Sequence, residues 1–203
     1  MRLLVFDTCG ASCAVGVWED GRFAARLDER MARGQDARLV PMVLSVLEQA
    51  GSSFEALDRI AVTRGPGSFT GLRVGLAAAR GMGFAAQKPV IGIDRFSAYA
   101  FCVAPASAGV LIVLESKRAE LFCQYRPAPG DVREACLMTA EAVDAFLKDH
   151  PGTALIGDRG EDACDSLASV AALAAEADPH DPAFAPRPLY LRAADVSFPK
   201  NKA

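Results

Sequence analysis

The stretch from Arg64 to Gly75, RGPGSFTGLRVG, is the part of the chain whose composition comes nearest to a phosphate-binding loop. A P-loop needs a lysine and then a serine or threonine directly after its last glycine, because the lysine reaches the β- and γ-phosphates. Here Gly71 is followed by Leu72 and Arg73, and Thr70 stands where the dinucleotide-binding pattern GxGxxG needs glycine. The stretch therefore matches neither phosphate-binding motif.

Asp7 and Thr8 follow the first apolar run of the chain and are a second candidate for phosphate chemistry. Their position resembles the place where actin-like ATPases and sugar kinases hold a metal-bound phosphate. A competent site would also need a second phosphate-binding hairpin and an adenosine-binding glycine pair, which Glu115-Ser-Lys117 and Gly157-Asp-Arg-Gly160 match only weakly. We therefore interpret Asp7 and Thr8 as a vestigial phosphate site. An ATPase or small-molecule kinase of actin-like fold is the alternative.

Side chains for acid–base, nucleophilic or metal chemistry are few. The two histidines, His150 and His180, are both far from Ser68 and Thr70 in sequence. General-base catalysis and zinc binding both need such groups close together. The sequence therefore predicts no catalytic residue, no metal site and no cofactor, with ATP bound only weakly or at a subunit interface. A metallopeptidase, the third hypothesis, would require bound zinc or iron.

The six cysteines contain no CxxC pair and stand mostly in apolar stretches. Cysteine in such places behaves as a small buried hydrophobic residue. We expect all of them to be reduced thiols. They are Cys9, Cys13, Cys102, Cys123, Cys136 and Cys164.

The start of the glycine stretch predicts a tight turn that leads into a helix. Gly65 and Gly67 permit positive φ angles, and Pro66 between them fixes its own. Ser68 or Thr70 can then accept a hydrogen bond from the first turn of the helix and cap it.

Small residues recur every four positions along this helix, at Gly71, Gly75, Ala79 and Gly83, and therefore share one face. Each glycine costs roughly 0.5–1 kcal/mol relative to alanine in a helix interior, so a contact outside the helix must offset that cost. We predict that this face receives a partner helix. The alternative is that the small residues let the helix lie close to its own sheet. Three larger residues beside the face are expected to hold the helix on its own core: Leu72, Leu76 and Phe84.

A second helix is predicted from Asp36 to Ala50, and Gly51 supplies its stop. Its apolar residues lie on more than one side, whereas a helix packed on one sheet needs a single apolar stripe. The excess indicates a second contact surface. Leu39, Val43 and Leu47 have helical spacing, and the additional apolar residues are Val40, Met42 and Leu44.

The order of elements predicts an α/β protein with two lobes of mixed sheet, 1–105 and 106–203. Each half has the order meander, helix, strand and helix, which indicates an architectural duplication. In the first half, strands are predicted at 2–6, 13–18, 22–27, 59–63 and 89–93. In the second half, after a linker at 105–109, strands are predicted at 110–114, 120–126, 132–137 and 154–156, with helices at 139–148 and 162–177. An extended surface segment is predicted from Pro186 onward.

Charge and hydropathy exclude two classes of protein. The net charge of −3 argues against strong binding of nucleic acid by the chain alone, since phosphate neutralisation needs a basic face. Six arginines enrich the first hundred residues around the glycine stretch, and we interpret them as a solvated charged face, with a shared anion or RNA contact in an assembly as the alternative. They are Arg33, Arg38, Arg59, Arg64, Arg73 and Arg80. No apolar run approaches the roughly 20 residues that span a bilayer, and Asp7 interrupts the first one. We expect a cytoplasmic protein without a membrane partner.

Five segments together resemble the TsaB family, formerly YeaZ, over nearly the whole chain. The segment Arg64-Gly-Pro-Gly-Ser-Phe-Thr-Gly-Leu-Arg73 is highly specific, and the others support it by their order and spacing. They are Leu4-Val-Phe-Asp-Thr8, Arg38-Leu-Val-Pro-Met42, Pro89-Val-Ile-Gly-Ile93 and Pro188-Leu-Tyr-Leu-Arg192 with Asp195. The chain departs from the family at Gln35, where histidine is common, and at Glu115-Ser-Lys117 and Glu120-Leu-Phe122.

The resemblance implies a two-lobed actin-like fold of the ASKHA, ribonuclease H-like type and a role without catalysis. It implies a scaffold or activating subunit that pairs with TsaD, the transferase forming N6-threonylcarbamoyladenosine at position 37 of tRNAs reading codons that begin with A. A small ATPase, TsaE, joins that pair, tRNA is contacted only through the complex, and the isolated protein forms homodimers through the same surface. Carried over by position, that partner surface comprises Leu39, Val40, Val43, Leu47, Gly71, Leu72, Gly75, Ala79 and Gly83.

Overall fold

The computed structural model describes residues 1–103, 109–160 and 164–192, and the first of these ranges contains a five-stranded sheet. Its strand order is β3-β2-β1-β4-β5. The first three strands are antiparallel, and β4 and β5 are parallel to β1. The strands are β1 (Arg2–Asp7), β2 (Ser12–Glu19), β3 (Arg22–Arg30), β4 (Arg59–Thr63) and β5 (Val90–Ile93), and the helices are α1 (Gln35–Gln49), α2 (Phe69–Ala86) and α3 (Arg95–Phe101).

The second sheet repeats the beginning of the first. Its order, β8-β7-β6-β9, corresponds to β3-β2-β1-β4, with a helix before the last strand in both cases. The predicted duplication and the actin-like, ribonuclease H-like fold class are confirmed. The elements are β6 (Val110–Leu114), β7 (Glu120–Arg126), β8 (Cys136–Thr139), α4 (Ala140–Asp149), β9 (Ala154–Gly157) and α5 (Ser166–Glu176), followed by a 3-10 turn (Pro182–Phe184).

The β1 strand lies at the centre of the first lobe because both of its faces are apolar. Leu4 and Phe6 point to one face, against the core beneath α1 and α2. Leu3 and Val5 point to the other, and all four side chains are fully buried. A strand covered on both faces reads as a continuous apolar run, as the sequence predicted. Asp20 and Gly21, with φ angles of 50° and 84°, form the predicted hairpin turn between β2 and β3.

The α5 helix belongs to the first lobe, so its predicted assignment to the second lobe is wrong. Leu167, Val170 and Ala174 pack on the face of the first sheet that carries Leu3 and Val5. At the end of α5, the guanidinium of Arg59 donates to the carbonyls of Ala174 and Ala177 at 2.7 and 2.8 Å. An arginine at this end of a helix satisfies carbonyls that have no partner within it. The predicted boundary near residue 105 lies outside the described residues.

The prediction that all cysteines are reduced is wrong for one pair. Cys102 at the end of α3 and Cys164 just before α5 form a disulfide, with Cα atoms 5.6 Å apart. Sequence could not show this pairing because 62 residues separate the two, and it is the packing of α3 on α5 that brings them together. Of the free cysteines, Cys9, Cys13 and Cys123 are buried as expected, and Cys136 is exposed.

Candidate functional site

Asp7 and Thr8, the predicted vestigial phosphate site, make their hydrogen bonds within their own lobe. The Asp7 carboxylate accepts hydrogen bonds from the Cys9 backbone N–H and the Thr63 hydroxyl, both at 2.6 Å. Thr8 is fully buried, and its hydroxyl donates to the carbonyl of Gly71 at 2.7 Å. The polar groups that a phosphate or its metal would need are therefore engaged in joining β1 to β4 and α2.

A buried arginine, Arg95, lies between this site and the second lobe. It opens α3, is 4% exposed, and donates to both oxygens of Asp158 at 2.9 and 3.2 Å. Its Nε atom lies 3.9 Å from the Asp7 carboxylate, and it also donates to the Pro66 carbonyl at 3.3 Å. Because Asp158 follows β9, this one guanidinium faces a carboxylate from each lobe. Burial acts to lower the pKa of Arg95, but Asp158 and Asp7 outweigh it and hold the pKa above its ordinary value.

Asp158 has two further partners. The Tyr99 hydroxyl and the Glu115 backbone N–H donate to it, both at 2.8 Å. Burial raises the pKa of Tyr99 to about 12, although Arg95 acts to lower it. The arrangement is a set of hydrogen bonds and ion pairs that joins the lobes, in which one guanidinium faces two carboxylates.

Tyr99 gives this set of hydrogen bonds a predicted alkaline sensitivity. The folded protein keeps the phenol protonated while the unfolded chain releases its proton near pH 10, so the folded state binds more protons between about pH 10 and pH 12. The free energy of unfolding should therefore fall as pH rises through this window, by roughly 1–2 kcal/mol. Urea unfolding of the wild type and of Tyr99→Phe at a series of pH values measures the effect. An equally steep fall in the variant would contradict it.

The predicted turn and helix cap are confirmed. Gly65 has a φ of +96°, where an L side chain is rarely found, and α2 begins directly after the turn. Ser68 is the capping residue, since its hydroxyl accepts from the Gly71 N–H at 3.3 Å. Thr70, the other candidate cap, is exposed, and Gly67 packs closely against the backbone of Cys9.

The predicted partner face of α2 is wrong, because those residues pack on their own lobe. A side chain at Gly71 would overlap the Thr8 carbonyl, one at Gly75 would lie 2.5 Å from the Thr8 hydroxyl, and one at Gly83 would overlap Val90. Ala79 and Leu72 are fully or nearly fully buried. The alternative reading is the correct one, since the small residues let α2 lie close to β1, β4 and β5.

The predicted partner residues of α1 divide between core and surface. Leu39, Val43 and Leu47 are buried in the first lobe, and so is Met42. Val40 remains on the surface at 47% exposed, one turn before Leu44 at 56%. The additional apolar surface predicted for this helix is therefore confirmed for these two residues and wrong for Met42.

A different set of small residues faces outward on α2. Ala77, Gly81 and Ala85 are four apart and exposed, and no atom lies within 4 Å of a side chain placed at Gly81. Phe84 is 90% exposed, so its predicted core role is wrong. We call the surface of Val40 and Leu44 on α1 with Ala77, Gly81 and Ala85 on α2 the outer helix face. The sequence analysis did not identify the three α2 residues of this face. Arg73 and Arg80 could have indicated it, because charged residues on a helix indicate its solvent side.

The segment after the 3-10 turn is extended, as predicted, but it is not a free surface strand. The Leu189 N–H donates to the Arg64 carbonyl at 2.7 Å, and the Leu189 and Leu191 side chains pack against the core of the second lobe. The Tyr190 ring lies 5.2 Å from the ring of Phe69. The segment therefore crosses between the lobes and lies over the turn that starts α2.

Two classes of feature are missing from the part of the chain that the structure describes. No three histidine, cysteine, aspartate or glutamate side chains there converge as a metal site requires. Nor does any helix within 1–103, 109–160 or 164–192 have the length and apolar character needed to cross a membrane.

Comparisons with known proteins agree on one family. Residues 29–198 match the family model described as TsaD: tRNA N6-adenosine threonylcarbamoyltransferase. The tRNA threonylcarbamoyladenosine biosynthesis protein TsaB of Escherichia coli (strain K12) is 39% identical over 94 residues, 46% of this chain and 40% of that protein. TsaB of Haemophilus influenzae (strain ATCC 51907 / DSM 11121 / KW20 / Rd) is 37% identical over 100 residues, 49% of this chain and 42% of that protein. The chain thus spans less than half the length of these curated relatives.

A solved structure extends the likeness to the whole fold. A Pseudomonas aeruginosa protein described as similar to peptidase YEAZ superposes with a TM-score of 0.69 at 25% identity, covering 94% of this chain and 99% of that one. The family model covers most of the chain, and TsaB and YeaZ proteins are among the relatives found. The protein therefore belongs to the TsaD family and, within it, to the TsaB (YeaZ-like) proteins.

Proposed function

We propose that the protein is a non-catalytic subunit in the biosynthesis of N6-threonylcarbamoyladenosine at position 37 of tRNAs reading codons that begin with A. It works in the cytoplasm, pairs with a TsaD-type transferase and recruits a TsaE-type ATPase. It contacts tRNA through the complex, and in isolation it forms a homodimer through the same face. The names of the E. coli and H. influenzae relatives and of the matching family support this role.

The observation that carries the non-catalytic part is the engagement of Asp7. Its carboxylate accepts from Thr63 and Cys9 and faces the guanidinium of Arg95, which supplies the positive charge that a metal ion would otherwise bring. An actin-like ATPase or kinase needs this carboxylate open to a ligand. The alternative of an ATPase or small-molecule kinase is therefore the weaker one.

The outer helix face is the surface we propose for pairing. Val40 and Leu44 supply apolar area, and the small residues at 77, 81 and 85 allow another helix to approach closely. This face lies on the same two helices as the predicted surface, but on their solvent side. In our proposal this exposed face takes the place of the buried residues that the sequence predicted as the partner surface.

The test is reconstitution with purified partners. Threonylcarbamoyl transfer to tRNA by the TsaD-type and TsaE-type proteins should require this protein, which should leave threonylcarbamoyl-adenylate and tRNA unchanged when alone. The product is measured by nucleoside mass spectrometry. Full activity without the protein, or turnover by the protein alone, would overturn the proposal.

Gly81→Leu should abolish pairing without unfolding the protein. The leucine would project from the outer helix face into the space that a partner helix occupies, and no atom of its own lobe lies within 4 Å of its Cβ position. Co-purification with the TsaD-type protein and size-exclusion chromatography measure pairing, and circular dichroism checks the fold. Ala145→Leu, which adds the same side chain at an exposed position of α4, is the control and should pair normally. Pairing of Gly81→Leu at wild-type affinity would mean that another face is used.

A further inference from the structure

A cleft of about 660 Å³ opens between the lobes, away from Asp7. The first lobe lines it with residues 32–36, which end the loop before α1 and begin that helix, and with the turn and first residues of α2. The second lobe contributes residues 116–118, and the extended segment at 189–192 forms another wall. Its volume lies in the range of roughly 300–1,000 Å³ that proteins use for small-molecule ligands.

The cleft is positively charged although the chain as a whole is negative. Four basic side chains line it, and among its described lining residues Asp36 is the one acidic side chain. The net charge of the whole chain is −3. A concave surface with this local excess of positive charge attracts anions. The basic residues are Arg33, Lys117, Arg118 and Arg192.

One of these cations reaches across the boundary between the lobes. The Lys117 ammonium donates to the backbone carbonyl of Ala32 at 3.1 Å, and Arg33, the next residue in the chain, lines the same cleft. A neutral carbonyl does not cancel its charge, and within the described residues neither Arg33 nor Lys117 has a carboxylate partner. Arg192, by contrast, is paired with Glu120. Arg33 and Lys117 are therefore the pair that an anion between the lobes would neutralise.

Aromatic rings line the same cleft. Phe69 and Tyr190 are 37% and 43% exposed, and their ring centroids are 5.2 Å apart. The guanidinium of Arg73 lies 3.9 Å from the centroid of Phe69 and donates to the Tyr190 hydroxyl at 3.3 Å, which fixes the position of both rings. Exposed aromatic rings beside basic groups are how proteins hold a base and its phosphate together.

We infer that this cleft binds a mononucleotide, with its phosphate between Arg33 and Lys117 and its base against Phe69 and Tyr190. The enclosed volume suits one nucleotide, and the negative charge of the chain disfavours a nucleic-acid strand. Asp7 does not line the cleft, so we expect nucleotide binding that does not depend on Mg²⁺ and is not followed by hydrolysis. Pairing through the outer helix face is a separate property, because none of its five residues lines the cleft.

Isothermal titration of the protein with AMP, ADP and ATP, each with and without Mg²⁺, tests the site. Inorganic phosphate and a short single-stranded RNA are titrated alongside. Arg33→Ala and Lys117→Ala should each weaken nucleotide binding by about tenfold or more, because each removes a charged hydrogen-bond donor. Phe69→Leu should weaken nucleotide binding but not phosphate binding. Arg22→Ala removes the same charge at the other end of β3 and should bind normally.

Saturable, Mg²⁺-independent nucleotide binding that these three variants weaken and Arg22→Ala does not would support the site. Four results would overturn it: no saturable nucleotide binding, binding no tighter than that of inorganic phosphate, RNA binding tighter than mononucleotide binding, or an equal loss in Arg22→Ala. Because Arg33 and Lys117 are both exposed, the variants at these positions should lose nucleotide binding without a change in melting temperature. Co-purification of the same variants with the TsaD-type protein separates failure of this site from failure of the proposed function.

Discussion

Gly71→Ala should lower the free energy of unfolding by about 3 kcal/mol or more, or leave no folded protein. The added methyl would overlap the backbone carbonyl oxygen of Thr8, which directly follows β1 and cannot rotate away as a side chain could. Relief requires α2 to move off the sheet, and that movement would also break the hydrogen bond from the Thr8 hydroxyl to the Gly71 carbonyl. The helix propensity that alanine gains, about 0.5–1 kcal/mol, is too small to compensate.

Gly81→Ala provides the matched control within the same helix. It makes the same chemical change in the middle of α2, but no atom lies within 4 Å of the new methyl. The free energy of unfolding should rise by about 0.5–1 kcal/mol, since only the helix propensity changes. Urea unfolding followed by circular dichroism measures both variants. Equal effects at the two positions would show that the small residues at 71, 75, 79 and 83 do not face the sheet.

The contrast between these two glycines shows how far the sequence could predict this helix. Four-residue spacing correctly predicted a helix with a face of small residues, because spacing depends only on helix geometry. It could not say what covered that face, since α2 carries two such sets and both fit a close contact. The residues next to each set distinguish the two faces. Leu72 and Leu76 flank the set that packs on the sheet, whereas Arg73 and Arg80 flank the set that faces solvent.

The strands and the turn were predictable for a related reason. The apolar run of β1, the Asp20-Gly21 turn and the Ser68 cap are each determined by a few neighbouring residues. The assignment of α5 and the Cys102–Cys164 disulfide depend on how elements far apart in sequence pack, and no local pattern encodes that. The predictions that α5 belongs to the second lobe and that Cys102 and Cys164 are reduced were therefore wrong.

Arg95 is the residue of the candidate site that sequence reasoning did not identify. Its side chain is charged, and charged residues are rarely buried unless they are paired. Its main partner, Asp158, is 63 residues away and belongs to the other lobe. Asp7 was identified correctly as the carboxylate at the end of β1, but its role depends on this arginine. The sequence therefore identified the carboxylate, and the structure was needed to show that a guanidinium faces it.

Arg95→Met should lower the free energy of unfolding by about 3–5 kcal/mol, because it leaves two largely buried carboxylates without their counter-charge. Asp158 and Asp7 are 22% and 13% exposed in their side chains. Arg95→Lys should lose less, since it keeps the charge but cannot donate to Asp158 and Pro66 together. Adding Asp158→Asn to Arg95→Met should recover part of the loss, as expected when two residues act on each other.

The neighbouring ion pair of Arg159 and Glu115 sets the comparison for this prediction. It joins atoms 2.7 Å apart one residue beyond Asp158, but its side chains are 42% and 51% exposed. Exposed pairs of this kind contribute no more than about 1 kcal/mol, so Arg159→Met should change stability little. Chemical denaturation of all four variants under the same buffer measures the differences. A loss at Arg95→Met as small as that at Arg159→Met would mean that the lobes are held together by their apolar contacts and not by the charged cluster between them.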